Sequence, residues 1–163
     1  MTIPGLPGAL TDPDLLASYR RDEADLCDSG TPLAVIRPDS TEEVVAAVRW
    51  AAANGVPVVP QGARTGLAGG ANAIDGCLVI SMINMTRILE VDRSNRIAVV
   101  QPGVINADVA RAAKAEGLKY PPDPGSWETS TIGGNVATNA GGDRKSTRLN
   151  SSHWITSRMP SSA

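Results

Sequence analysis

The sequence predicts an α+β fold in which a parallel strand–helix–strand unit is joined to antiparallel strands. Three observations carry this. Two short apolar runs flank an amphipathic segment within about thirty residues, the size of a parallel βαβ unit. Two further apolar runs are separated only by Arg93, Ser94 and Asn95, a length that suits a hairpin. Parallel and antiparallel signals in one chain belong to α+β architecture rather than to a doubly wound sheet.

The elements follow in order. Residues 1–30 read as an N-terminal capping segment with one helix from about Asp14 to Asp25. Leu33 to Pro38 is a short apolar run stopped by proline, a strand. Ser40 and Glu43 then stand at capping-box spacing, where each side chain satisfies a free backbone donor at a helix start. Val44, Val48, Ala51 and Ala52 recur on one face, and Gly55 is placed to end the helix. Val56 to Val59 is the next strand, and Cys77 to Met82 another. Ile88 to Asp92 and Arg96 to Gly103 form the hairpin pair. A second helix starts at Asn106 and ends at Gly117.

Composition bounds the function. The chain of 163 residues has no Phe, three Trp and two Tyr, so its core is built from Val, Ile, Leu and Ala, which bury little area each. Residues 143–163 carry four Lys and Arg against one Asp, and residues 1–142 carry 11 against 16. A body with net charge −5 argues against nucleic acid as a partner, since phosphate neutralisation needs a basic surface. No apolar run is long enough to span a bilayer, and the N-terminus lacks the pattern of a signal peptide. Cys27 and Cys77 have no metal spacing and read as reduced thiols of a cytoplasmic protein. No metal site is expected, and no catalytic residue is assigned.

Two glycine-rich stretches stand out. The first, "PQGARTGLAGGANAIDG", directly follows the strand ending at Val59. Gly62, Gly66, Gly69 and Gly70 free the backbone to aim successive N–H groups into one concavity, a nest for anionic oxygens. Arg64 offers a positive charge beside it. The spacing is neither a P-loop nor the dinucleotide fingerprint, and it does not by itself separate a nest from a glycine-rich turn with an exposed arginine. The second stretch, "YPPDPGSWETSTIGGNVATNAGG", is stiffened by Pro121, Pro122 and Pro124, each of which fixes φ and removes a donor. Hydroxyls, amides and bare backbone dominate it, and its charged groups are Asp123 and Glu128. Such a wall suits a large, flat, polar cofactor better than acid–base chemistry, and a loop of this length in a compact domain is usually functional.

Taken together, "PDSTEEVVAAVRWAAANGVPVVPQGARTGLAGGA", "VQPGV" and "PPDPGS…STIGGNVATNAGG" resemble the FAD-binding domain of the FAD-linked oxidase family, nearest its glycolate oxidase and D-lactate dehydrogenase branch. The resemblance covers Thr31 to Gly142. It implies an FAD-binding domain of two α+β subdomains, incomplete here, with FAD laid between them. It also implies oxidation of a small 2-hydroxy acid by hydride transfer to FAD. Carried over by resemblance, Pro60, Gln61, Gly62, Ala63, Arg64, Thr65, Gly66, Leu67, Gly69, Gly70 and Ala71 would cradle the pyrophosphate. Pro122, Asp123, Gly125 and Ser126 would line the cofactor. Thr129, Ser130, Gly133, Gly134 and Asn135 would run along its ribityl and phosphate part, and Ala137, Asn139 and Gly141 would approach the flavin end. Some relatives tether FAD through a histidine in the first glycine loop. The single histidine of this chain is His153, so non-covalent FAD is expected.

Residues 143–163 read differently. "DRKSTRLNSSH" and "SRMPSSA" resemble one translated frame of a sequencing-library adapter, with "WIT" in the place of a variable index. The expectation is therefore a partial FAD-binding domain over 31–142 followed by a non-native, disordered tail over 143–163. Catalytic, substrate and metal residues would lie in the missing continuation. Two other readings stay open: a truncated, non-catalytic product, and a nucleotide-binding module without redox activity.

Overall fold

The structure is a computed structural model that describes residues 3–24 and 26–142. The reading of 143–163 as a non-native tail lies outside the described residues.

Three short strands, β1 (Ala34–Ile36), β2 (Val58–Gln61) and β3 (Leu78–Ser81), form a parallel sheet in the order β1-β3-β2. Val35 pairs with Val79, and Val59 with Val79 from the other side. β3 is central and buried throughout. Alternate residues of a strand point to opposite faces, and the core divides accordingly. Ala34, Ile36, Leu78 and Ile80 pack with Leu6 and with Ala47 and Ala51 of helix α2 (Thr41–Asn54). Val35, Val59 and Val79 pack with Leu16, Ala73 and Cys77 on the other face. Burying a side chain such as Leu78 or Ile80 contributes about 2–3 kcal/mol. Leu16 lies in a short helix, α1 (Pro13–Ala17), so the N-terminal segment supplies the cover of the second sheet face. Leu10 also exchanges both backbone hydrogen bonds with Val35, at 2.8 and 3.0 Å, which covers the β1 edge.

The hairpin pairs β4 (Ile88–Asp92) with β5 (Ile97–Val100), antiparallel and with a bulge between Ile88 and Glu90. Asp92 Oδ1 accepts the Asn95 N–H at 2.9 Å and closes the turn. Helix α3 (Asn106–Ala115) follows, then a short helix α4 (Ile132–Ala137). A parallel sheet, an antiparallel pair and helices together are the α+β arrangement expected.

Three expectations need correction. The first helix does not run from Asp14 to Asp25, because it ends at Ala17. Asp12 caps its start, and Ser18 Oγ then donates back to Leu15 O at 2.7 Å. Beyond it, Arg20 donates from Nε to Gly30 O at 2.9 Å, and Asp22 N–H donates to Asn72 Oδ1 at 2.8 Å. These distant partners hold the segment in a non-helical course. The buried face of α2 is Ala47 and Ala51, not Val44, Val48 and Ala52; Val48 is 45% exposed. The alanines let the helix lie close to the sheet, and Trp50 Nε1 donates to Pro4 O at 2.9 Å on its flank. The caps of α2 stand as read, with Ser40 Oγ accepting Glu43 N–H and Gly55 at φ 65. Glu43 reaches back and accepts the Asp39 N–H at 2.8 Å. Finally, the second glycine-rich stretch contains α4, where the sequence suggests an irregular wall. Thr131 caps it by accepting the Gly134 N–H at 3.3 Å.

Among the described residues, no helix is long and apolar enough to cross a membrane, and no group of three or more His, Cys, Asp or Glu is placed to hold a metal ion. Both cysteines are free thiols.

Candidate functional site

Because β1, β2 and β3 are parallel, their C-terminal ends share one edge, the edge at which open α/β sheets receive ligands. The first glycine-rich loop leaves β2 there. Pro60 and Gln61 are the last two residues of β2, and residues 62–71 form the loop. Gln61 is 2% exposed, and its Nε2 donates to Ala71 O at 2.7 Å and to Tyr19 O at 2.8 Å. One amide group thus ties the loop's end to its beginning and both to the N-terminal segment.

Among the described residues, none accepts a hydrogen bond from the main-chain N–H groups of residues 63–70. Loop backbone donors with no protein acceptor need water or a ligand. The left-handed conformation that a nest requires falls on Arg64 (φ 60) and Gly69 (φ 73); Gly62, Gly66 and Gly70 have none. Arg64 turns its side chain away from the role of a free cation. Its guanidinium donates to Ser18 O and stands 5.0 Å from the centre of the Tyr19 ring. Leu67 is 78% exposed at the tip.

The second stretch meets the first. A Cβ built on Gly62 would collide with Thr131 Oγ1, so the backbone of one glycine-rich stretch rests on the side chain of the other. Ser130, beside Thr131, is 3% exposed. Its Oγ and the Oε1 of Gln61 are buried without a partner among the described residues. A buried polar atom left unpaired costs about 1–3 kcal/mol, so two of them flanking one contact mark a place built to receive hydrogen bonds.

The remaining predicted residues take defined places. Gly133, Gly134, Asn135 and Ala137 lie in α4. Gly133 donates its N–H to Pro102 O at 2.8 Å, and a Cβ there would sit 2.7 Å from Pro102 Cβ. Asn135 Nδ2 donates to Asn106 Oδ1 at 3.0 Å, and Asn106 Nδ2 donates to Pro122 O at 3.3 Å. Asn135 therefore joins α4 to α3 and to the proline-rich approach. Asn139 is left-handed (φ 51) and ends the turn after α4. Gly141 O accepts the Asp123 N–H at 2.9 Å, and a Cβ on Gly142 would collide with Asp123 O. Gly125 faces open space, while Ser126 O accepts from the N–H groups of Thr129 and Ser130. Ala63 and Thr65 lie within the open loop.

Burial raises the Tyr120 phenol above its usual range, next to the proline-rich approach. A cleft of about 400 Å³ lined by Gly5, Arg37, Glu43 and Ala47 shares no lining residue with either glycine-rich stretch. The sequence reading missed Tyr19, Asp22 and Asn106 as parts of this region, and it gave no role to Asn72 and Pro102, which lie in the stretches it quoted. Asn106 carried a local signal of a different kind, a helix start.

Comparison with known proteins gives the following. The family described as FAD binding domain matches residues 32–157. The chain is 44% identical over 135 residues to a D-lactate dehydrogenase of Anaerostipes hadrus, covering 83% of this chain and 28% of that one. It is 47% identical over 113 residues to the glycolate oxidase subunit GlcD of Bacillus subtilis, covering 69% of this chain and 24% of the other. Among solved structures, an alkyldihydroxyacetonephosphate synthase aligns with a TM-score of 0.72 at 25% identity, over 84% of this chain and 29% of that one. The chain thus spans under a third of the length of the proteins it matches.

Proposed function

The chain belongs to the FAD binding domain family, and from that premise we propose that it is the dinucleotide-holding part of a flavin-dependent oxidoreductase of small 2-hydroxy acids. The observation that carries this reading is the meeting of Gly62 with Thr131. Next to these two residues in the chain stand Gln61 Oε1 and Ser130 Oγ, and after Gly62 come the N–H groups of residues 63–70, all without a partner among the described residues. The N–H groups fit the anionic part of a dinucleotide, while Gln61 Oε1 can only accept a hydrogen bond from it and Ser130 Oγ can do either.

Bound FAD would supply the two-electron acceptor for a hydride from the substrate's α-carbon; the chain's part is holding and orienting. The main chain of residues 63–70 would hold the diphosphate by N–H groups, without a cationic side chain, since Arg64 is engaged with Ser18 and Tyr19. Thr129, Ser130, Gly133 and Gly134 would run along the ribityl part, with Ser130 Oγ available as donor or acceptor. Asn135 would act by position, keeping α4 against Asn106. Pro122, Asp123, Gly125 and Ser126 would line the cofactor, and Ala137, Asn139 and Gly141 would approach its flavin end. The names of the relatives support a 2-hydroxy-acid substrate, D-lactate for one and glycolate for another.

The test is a titration of the purified chain with FAD, read by flavin absorbance and fluorescence, with ADP in parallel. Stoichiometric binding of FAD is expected, along with release of all flavin on acid precipitation. A chain that takes up no flavin sinks the reading. Equal affinity for ADP and FAD would favour a nucleotide module with no place for isoalloxazine.

A further inference from the structure

We infer that Asp22 is a positioning residue of the dinucleotide loop: it fixes the Gly66–Asn72 half of the loop from the N-terminal segment without itself being a cofactor ligand. This rests on the reading of that loop as the diphosphate cradle.

The loop has few internal ties, and the N-terminal segment supplies most of the others. Asp22 Oδ2 accepts the Ala71 N–H at 3.4 Å and lies 3.3 Å from where a Cβ on Gly66 would stand. Its own N–H donates to Asn72 Oδ1 at 2.8 Å, and Asn72 Nδ2 donates to Asp28 O at 3.1 Å. Asp22 Oδ1 accepts the Ala24 N–H at 2.9 Å, which holds the carboxylate in place. Two neighbouring ties run in parallel: Glu23 N–H to Gly66 O at 3.0 Å, and Ala73 N–H to Arg20 O at 2.9 Å. Asp22 therefore bonds the loop's exit at Ala71 and Asn72, and its neighbour Glu23 bonds the loop's middle at Gly66 O.

The chemistry suits a carboxylate. It is an acceptor at both oxygens, and each oxygen here meets a backbone N–H. The same group is a poor neighbour for a diphosphate unless its charge is held by such donors. A hydrophobic or neutral donor side chain at position 22 could not replace it. The N–H groups of residues 63–70, without an acceptor among the described residues, recruit an anion only when the loop is held in one arrangement, and the loop has few ties of its own to hold it. Asp22 supplies that order in advance.

The experiment compares the full chain with Asp22→Ala and Asp22→Asn, using FAD and ADP titration and amide hydrogen exchange of the ligand-free proteins. In Asp22→Ala, exchange at residues 66–72 should rise while β1, β2 and β3 stay protected. Affinity for FAD and for ADP should fall together by about tenfold, since both ligands carry the diphosphate. Asp22→Asn keeps one acceptor and should fall between the two, which also decides the matter if Asp22→Ala does not fold. Unchanged exchange at 66–72 overturns the inference. So does exchange that rises equally in the sheet, which marks a purely structural role. Failure of the unaltered chain to bind either ligand removes the cofactor reading instead, and the exchange arm still reports whether Asp22 holds the loop.

Discussion

Gly62 rests against Thr131 so closely that a Cβ on the glycine would strike Thr131 Oγ1, with Thr131 Cβ only 3.4 Å away. The hydroxyl cannot swing aside freely, because it caps α4 by accepting the Gly134 N–H. Gly62→Ala must therefore part the two glycine-rich stretches or uncap the helix. Its expected cost is about 1–3 kcal/mol of stability, and that of Thr131→Ala about 1 kcal/mol. In the double variant the collision is gone, so its cost should be less than the two combined. Urea unfolding of the four proteins measures this coupling, and strict additivity would show that the residues do not meet.

Two adjacent glycines make a sharper comparison. A Cβ on Gly133 would lie 2.7 Å from Pro102 Cβ and 2.9 Å from Pro102 O, whereas one on Gly134 would lie 3.2 Å from Thr131 Oγ1. Backbone at Pro102 cannot yield as a side chain can. Gly133→Ala should cost about 1–3 kcal/mol. Gly134→Ala should stay within about 1 kcal/mol of neutral, since the gain in helix propensity offsets the tight contact. Thermal and urea unfolding of both variants check the ranking, and the reverse order would mean that α4 does not dock on Pro102.

The two thiols should behave differently. Cys77 is fully buried behind β3, and that burial raises its thiol above the ordinary value of 9.0. The folded chain thus keeps a proton that the unfolded chain gives up. Stability from this source is intact below pH 9 and declines as the pH rises beyond it. A stability profile from pH 7 to above 9 should bend downward in the native chain and less so in Cys77→Ala. Cys27, half-buried beside Gly69, should react with iodoacetamide about tenfold faster than Cys77 or more. Equal labelling rates would place Cys77 at the surface.

What the sequence made legible was local. Ser40 and Gly55 bound α2 because a cap and a left-handed stop are decided within a few residues. The helix's buried face was not, since Val48 and Ala47 are both apolar and only the sheet and Trp50 choose between them. α4 was hidden because Gly133 and Gly134 are poor helix formers; contact with Pro102 and the Thr131 cap override that. The glycine-rich loops were visible from composition, but their support was not. Asp22 touches Ala71 and Asn72 across most of the N-terminal half, and no spacing rule reaches that far. Of the two left-handed positions in the first loop, Gly69 was visible as a glycine, and the other was not, because it falls on an arginine rather than on Gly62 or Gly66.

That arginine supports a last prediction. Arg64 at φ 60 holds a conformation that costs a residue with a Cβ about 1–2 kcal/mol relative to glycine. Its side chain offsets part of this through Ser18 O and the Tyr19 ring, a cation–π contact contributing about 0.5–1 kcal/mol at an exposed site. Arg64→Ala removes the contacts and keeps the strain, so it should lose about 1–2 kcal/mol. Arg64→Gly removes both and should come within about 1 kcal/mol of the native chain, despite glycine's greater freedom when unfolded. Urea unfolding of the two variants should therefore rank glycine above alanine. Alanine at or above glycine would mean that position 64 is not left-handed, and the loop would then lack one of its two left-handed residues.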